Sequence, residues 1–296
     1  MRAPQGFSSN WLVVGGLRLH ALESAGPDGG PTAVLLPGLV TASRSMVPLA
    51  RELMRRNVRV RILDPPGFGY SDKPRRALRT CDQASIIAEW LTASAGGVAR
   101  IVGNSFGCQV AATVAACRPE VAERLVLLSP TLDPQLRRWL KWLEKLQRAP
   151  GHGMTPTGQW RVRLLGRLHG SLGDEPSLRA LNVAEYACGG IPRALGTLRY
   201  AVVDSIEDVL PAVRVPTLLV RADQDRLSTL GWAERLAAMT PDGHLRRLAR
   251  SGHGAFVQEP AAVAAIISAF LASPNLGSRG SGGATFGEQS AGNSAS

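Results

Sequence analysis

Arg100-Ile101-Val102-Gly103-Asn104-Ser105-Phe106-Gly107 carries the chain from a short apolar run into Cys108-Gln109-Val110-Ala111-Ala112-Thr113-Val114-Ala115, an apolar stretch free of helix breakers. The first part reads as a strand and the second as a helix, so Ser105 falls on the sharp turn between them. Such a turn leaves no room for a Cβ on its close neighbours, which accounts for glycine at 103 and 107. It also lifts the serine hydroxyl clear of the backbone and makes Ser105 a candidate nucleophile. Phe106 follows at the helix N-terminus, where the dipole and the free amides favour a developing negative charge. The string G-x-S-x-G is common in turns; its position between an apolar strand and an apolar helix gives it chemical meaning.

Working outward, further short runs rich in leucine and β-branched residues alternate with amphipathic segments. Strands are expected at Trp11-Val14, Leu17-Leu22, Ala33-Leu36, Val58-Leu63, Ala99-Val102, Arg124-Leu128, Thr217-Val220 and His244-Leu248. The first two form a hairpin through Gly15-Gly16, and the others need crossover helices. Helical spacing of apolar residues marks Ser45 to Arg56, Gln83 to Thr92, Thr229 to Met239 and Ala261 to Leu271. The pattern predicts an α/β fold with a mainly parallel eight-stranded sheet flanked by helices on both faces. From 131 to 205 the alternation stops: the sequence shows helical patterns, among them Gln135 to Arg148, and no strand. This interval is expected to be a helical cap inserted into a core made of residues 1–130 and 206–272. Residues 273–296 are almost wholly Gly, Ser, Asn, Ala and charges, and are expected to form a disordered tail.

The 296 residues include 34 Lys and Arg against 23 Asp and Glu, a formal net charge of +11. Only Lys73, Lys141 and Lys145 are lysines, and there is no basic stripe with interleaved aromatics, zinc knuckle or helix-turn-helix pattern, so a nucleic-acid partner is not expected. Part of the excess lies in the cap interval, where the charges of the 135–148 helix fall mainly opposite its Leu136, Trp139, Leu140, Leu143 and Leu146 stripe. That arrangement reads first as a solvated face, with steering of anionic substrates and loose contact with an anionic membrane surface as the alternatives. No run approaches the roughly 18 apolar residues of a membrane span, and the N-terminus lacks a signal-peptide core, so no integral membrane association and a cytoplasmic location are expected. Cys81, Cys108, Cys117 and Cys188 fit no metal-ligand spacing and are read as free thiols; no metal and no cofactor is expected.

A serine nucleophile needs a base, and the base needs an orienting acid. The strand ending at Leu248 runs into Ser251-Gly252-His253-Gly254, and His253 is the only histidine in a glycine-flanked loop after a strand. His20 belongs to the hairpin, His152 and His169 to the cap interval and His244 to the start of a strand. For the acid, Arg221-Ala222-Asp223-Gln224-Asp225-Arg226 follows another strand and offers Asp223 and Asp225; Asp133, beyond the strand ending at Leu128, is a third candidate.

With these motifs together, the chain resembles the α/β-hydrolase superfamily over roughly residues 10 to 272, in the cap-bearing branch of esterases, carbon-carbon bond hydrolases and cofactor-free haloperoxidases. Leu35-Leu36-Pro37-Gly38-Leu39 is similar to the family's His-Gly turn after the third strand, with Pro37 in place of the histidine. The resemblance implies that the Leu39 N–H joins that of Phe106 in an oxyanion hole. Asp64-Pro65-Pro66-Gly67-Phe68-Gly69-Tyr70-Ser71 resembles the family's structural D-x-P-G-x-G-x-S loop. The acid loop resembles G-x-x-D, with Ala222 for the glycine, and this alignment places the acid at Asp225. Gly252-His253 with Glu259-Pro260 resembles the segment that carries the family's histidine. Relatives that open epoxides or displace halide have aspartate at the elbow, so Ser105 implies neither activity. The implied catalytic set is Ser105, Asp225 and His253. The implied activity is that of a serine esterase, hydrolysing a small-molecule carboxylic ester or thioester through an acyl-enzyme. A carbon-carbon hydrolase or perhydrolase using the same residues is the alternative within enzymes, and a ligand-binding receptor or scaffold with this fold is the alternative outside them. The oligomeric state is not legible.

Overall fold

The structure is a computed structural model that describes residues 2–25, 31–39, 41–94, 97–130, 133–134, 137–138, 190–249 and 251–273. All eight expected strands form. They are β1 (Phe7–Val14), β2 (Leu17–Ser24), β3 (Thr32–Leu36), β4 (Arg59–Leu63), β5 (Ala99–Asn104), β6 (Ala122–Leu128), β7 (Thr217–Ala222) and β8 (Gly243–Leu248). They make one sheet in the order β1-β2-β4-β3-β5-β6-β7-β8. β1 and β2 pair antiparallel, as do β2 and β4; every other pairing is parallel. The hairpin turn uses Gly15 and Gly16 at φ of 55° and 74°, a region that side chains disfavour.

The helices, in chain order, are α1 (Val47–Met54), α2 (Thr80–Ser94), α3 (Phe106–Cys117), α4 (Ile191–Val203), α5 (Leu230–Met239), α6 (Ala255–Gln258) and α7 (Pro260–Ala272). Period-two alternation along the strands divides the core in two. Val34, Leu36, Ile101, Leu125 and Leu127 point to one face, where Ile87 and Trp90 of α2, Val110 and Val114 of α3 and Leu236 of α5 cover them. Leu35, Val102, Val126, Leu128 and Val220 point to the other, beneath Leu49 and Leu53 of α1 and Val263, Ile267 and Phe270 of α7. Burial on both faces explains why the central strands read as continuous apolar runs.

Element ends depart from the sequence expectation where polarity hides them. β1 starts at Phe7 because Ser8, Ser9 and Asn10 pair with β2 at the sheet edge, where exposed polar residues are tolerated. The expected Ser45 to Arg56 helix splits into a 3₁₀ turn at Ser43–Met46 and α1, whose first turn holds Pro48. Residues 139–189, most of the expected cap and its 135–148 helix, lie outside the described residues, as do 274–296; α4 is the described helix of that interval.

The strand order sets up the site. From β3 the chain moves outward to β4, then returns past β3 to β5, so the loops leaving β3 and β5 part at a topological switch point, the usual position of a ligand crevice in an open α/β sheet. Leu36 is in register with Gly103, so the turns after the two strands lie side by side.

Candidate active site

Ser105 connects β5 to α3 with φ of 54° and ψ of −118°, outside the regions an L-residue prefers. The surroundings hold it there: its N–H donates to the Leu128 carbonyl at 2.9 Å, and its own carbonyl accepts from Cys108 N at 3.0 Å. The flanking glycines are required by space. A Cβ on Gly103 would sit 2.4 Å from the Gly107 carbonyl oxygen, and one on Gly107 would sit 2.4 Å and 2.6 Å from the carbonyl oxygens of Leu36 and Pro37. The second approach locks the start of α3 onto the turn after β3. There Gly38 lies against Ser105, its carbonyl oxygen accepting from Thr41 N and Oγ1 at 3.3 Å and 3.1 Å. Leu39 is half-buried in this turn and Phe106 is buried at the first position of α3, where the helix leaves its amides without intrahelical acceptors.

His253 lies in the loop between β8 and α6, with Nε2 3.0 Å from Ser105 Oγ and Nδ1 2.9 Å from Asp225 Oδ2. Both His253 and Asp225 are buried, 3% and 2% exposed. The second oxygen of Asp225, Oδ1, accepts from the backbone N–H groups of Leu227 at 2.8 Å and Ser228 at 3.1 Å. Burial alone would push this carboxyl up, but the charge and hydrogen bond of His253 and the two amides outweigh it and hold the group below the ordinary aspartate value. The result is one hydrogen-bonded chain running from the backbone of the loop after β7, through Asp225 and His253, to the Ser105 hydroxyl.

The three acids of the sequence reading therefore separate. Asp225 meets the imidazole. Asp223 accepts from Arg247 Nε at 2.9 Å and Nη2 at 3.1 Å, and from Arg221 Nη1 at 3.3 Å. The Arg247 bond above all draws its carboxyl down. Asp133 accepts from Thr229 Oγ1 at 3.0 Å, at the N-cap of α5, and pairs with Arg235 at 3.6 Å.

Sequence reasoning missed Arg221. It is buried at the end of β7, with Nε donating to the Ser228 carbonyl at 2.9 Å and Nη2 to the Asp225 carbonyl at 3.1 Å, so it braces the loop that presents the acid. An arginine ending a strand carries no signal of that role in the sequence. A second buried pair was also missed: His20 Nδ1 lies 2.7 Å from Asp64 Oδ2. Asp64 also accepts from Ser43 N at 2.6 Å and Tyr70 N at 2.8 Å, fixing the loop after β4. Among the cysteines, Cys108 is buried with its thiol pushed up by desolvation and donating to backbone carbonyls, while Cys81 and Cys117 are exposed and free; Cys188 lies outside the described residues. Among the described residues no helix is long and apolar enough to cross a membrane.

A doubly covered, mainly parallel sheet with a serine on the β5–α3 turn, and an aspartate and a histidine delivered by later loops, is the arrangement of the α/β-hydrolase fold. The chain belongs to the alpha/beta hydrolase family, whose profile matches residues 33–266. Two curated relatives are similar over most of its length. It is 30% identical over 273 residues to polyketide synthase ThaQ of Burkholderia thailandensis, a match covering 87% of this chain but only 12% of ThaQ. It is 26% identical over 243 residues to the 2-(acetamidomethylene)succinate hydrolase of Mesorhizobium japonicum, covering 80% of this chain and 85% of that enzyme. Among solved structures, a membrane phospholipase A described as a bacterial virulence factor superposes with a TM-score of 0.73 at 25% identity, over 90% of this chain and 86% of that one.

Proposed function

We propose that the chain is a serine hydrolase that cleaves a small to medium-sized carboxylic ester or thioester by acyl transfer. The observation that carries this reading is the unbroken chain from Asp225 Oδ2 to His253 at 2.9 Å and from His253 to Ser105 Oγ at 3.0 Å, with the serine held at positive φ. Neutral His253 accepts the Ser105 proton through Nε2 as Oγ attacks the acyl carbon. Asp225 keeps the other proton on Nδ1 and stabilises the imidazolium that forms. The negative oxygen of the tetrahedral intermediate is received by the backbone N–H groups of Leu39 and Phe106, whose turns are joined by the close approach of Gly107 to Leu36 and Pro37. The imidazolium then protonates the departing alcohol or thiol, and a water activated by the same histidine releases the acid.

The test is hydrolysis of a panel of p-nitrophenyl esters, acyl thioesters and vinylogous diketones, each with the Ser105→Ala variant. Turnover of esters or thioesters that vanishes in Ser105→Ala supports the reading. Turnover confined to the diketones would move the activity to carbon-carbon cleavage, and turnover that survives the substitution would end the acyl-enzyme proposal.

A further inference from the structure

The Asp64 carboxylate is fully buried at the exit of β4, and three segments converge on it. Oδ1 accepts from Ser43 N at 2.6 Å, in the loop after β3. Oδ2 accepts from Tyr70 N at 2.8 Å, in the loop after β4, and lies 2.7 Å from His20 Nδ1 on β2. A carboxylate only accepts, so the histidine donates through Nδ1; its Nε2 has no partner among the described residues, which leaves the ring's hydrogen bonding directed at Asp64. The chain folds back over the carboxylate at Gly69, where a Cβ would sit 2.3 Å from the Asp64 carboxyl carbon. Burying a carboxylate is costly unless donors converge on it. Here the donors come from three different segments, so the group ties those segments together.

What the Ser43 bond holds is the turn beside the nucleophile. The strand order β4-β3-β5 puts the exit of β3 between that of β4, with Asp64, and that of β5, with Ser105. At its upstream end the turn is pressed onto the elbow: a Cβ on Gly38 would lie 3.2 Å from Ser105 Cβ and 3.3 Å from Asn104 Nδ2. The Gly38 carbonyl accepts from Thr41 N and Oγ1, which closes residues 38–41 on themselves. Shortly after, the buried Ser43 opens a 3₁₀ turn with its N–H on Asp64. Leu39 therefore lies in a short span fastened to the elbow at one end and to Asp64 at the other. Nothing among the described residues accepts from the Leu39 N–H, so its direction follows from the placement of the span and not from a partner of its own. A donor to a developing oxyanion is effective only when it is aimed before the charge appears.

Resting on the acyl-transfer reading and its Leu39 donor, we infer that Asp64 is a positioning residue for the oxyanion hole: through the Ser43 N–H it holds the turn after β3 so that the Leu39 amide faces the acyl oxygen. Asp64 touches neither the substrate nor the Asp225, His253 and Ser105 chain. Losing the tie lets the Leu39 amide drift, which weakens stabilisation of the tetrahedral intermediate and leaves substrate binding and the nucleophile's base in place.

Ser43→Pro removes the one N–H at issue and suits the local backbone, since Ser43 is first in its 3₁₀ turn and Ala42 before it is extended, with φ of −128° and ψ of −178°. On p-nitrophenyl butyrate, kcat should fall roughly 10-fold or more with KM within about twofold, and the Ki of a trifluoromethyl ketone, whose hemiketal oxyanion occupies the same hole, should rise by a similar factor. Ser43→Ala keeps the N–H and should stay close to wild type. Asp64→Asn should act like Ser43→Pro: two donors hold its oxygen at the Oδ2 position, which turns its NH₂ toward the Ser43 N–H. Combined, the two substitutions should cost no more than the larger one alone. Effects that multiply, or wild-type kcat in folded Ser43→Pro, would overturn the proposal. Should Ser43→Pro not fold, Asp64→Asn is compared with Asp72→Asn, at the end of the same loop and bonded to Arg18; equal kcat in the two overturns it. Hydrogen exchange read by mass spectrometry needs no turnover: exchange in residues 37–43 should quicken in Asp64→Asn and not in Asp72→Asn, and unchanged exchange overturns the tie. Hydrolysis that persists in Ser105→Ala would instead overturn the acyl-transfer reading and leave the exchange result standing.

Discussion

Replacing Asp225 by asparagine changes one oxygen to an amide nitrogen, and the structure dictates where that nitrogen must go. Oδ1 accepts from the Leu227 and Ser228 amides, while Oδ2 accepts from His253 Nδ1. Asparagine satisfies the two amides only by keeping its oxygen at the Oδ1 position, which turns its NH₂ toward His253. The imidazole must then accept at Nδ1 and carry its proton on Nε2, facing Ser105 Oγ, where it can no longer take the serine proton. The opposite orientation would set an NH₂ against two buried N–H groups, and each buried polar group left unpaired costs about 1–3 kcal/mol. The wrong tautomer is therefore the favoured one. In a serine protease the equivalent change lowers kcat by about 10⁴, and the same effect here corresponds to about 5.4 kcal/mol of lost transition-state stabilisation. The assay is kcat on p-nitrophenyl butyrate at pH 8, with Asp223→Asn as control, since Asp223 is engaged by Arg247 and Arg221 rather than by the histidine. An Asp225→Asn enzyme within tenfold of wild type, or an Asp223→Asn enzyme equally impaired, would refute the reasoning.

Because Asp225 titrates below its ordinary value when folded, its contribution to stability is complete above about pH 4 and is lost as pH falls through the folded value. The Tm difference between wild type and Asp225→Asn should accordingly shrink as the buffer is taken from pH 7 to pH 3; a difference that grows toward acid contradicts the sign. Gly107→Ala drives a methyl into the Leu36 and Pro37 carbonyls, a backbone clash that cannot relax by side-chain movement. Differential scanning calorimetry should show Tm lower by several degrees, for roughly 1–3 kcal/mol of overpacking, together with a fall in kcat; an unchanged enzyme would mean that the two turns do not hold each other. Arg221→Met removes three hydrogen bonds to the acid loop and should lower kcat roughly tenfold with KM little changed, as expected when a brace behind the acid is lost. An equal loss in KM would point to a role in binding.

The fold was legible because its strands are buried on both sides: Val34, Leu35 and Leu36, or Leu125, Val126, Leu127 and Leu128, can be little else once turn residues bound them. Where exposure relaxes that demand the reading lost accuracy, as at Ser8 to Asn10 on the edge strand. Ser105 and its glycines were readable since their spacing reflects contacts within one turn. The choice between Asp223 and Asp225 was not readable from composition, because it depends on Arg247, 24 residues away along the next strand. The resemblance to a known loop pattern favoured Asp225, and of the two it is Asp225 that reaches His253. The His20 and Asp64 pair drew no notice because it joins residues 44 apart in sequence with no fixed spacing, and Arg221 drew none because an arginine ending a strand carries no signal that it will brace the loop after it.

The central claim is that Ser105 is made nucleophilic by His253 and Asp225. Intact-mass spectrometry after treatment with a fluorophosphonate probe, followed by peptide mapping, tests it most directly, because the probe reacts with an activated serine whatever the natural substrate. The account predicts one adduct per chain, on Ser105, absent from Ser105→Ala and strongly slowed in His253→Ala; no adduct, or an adduct on another residue that persists in Ser105→Ala, would contradict it.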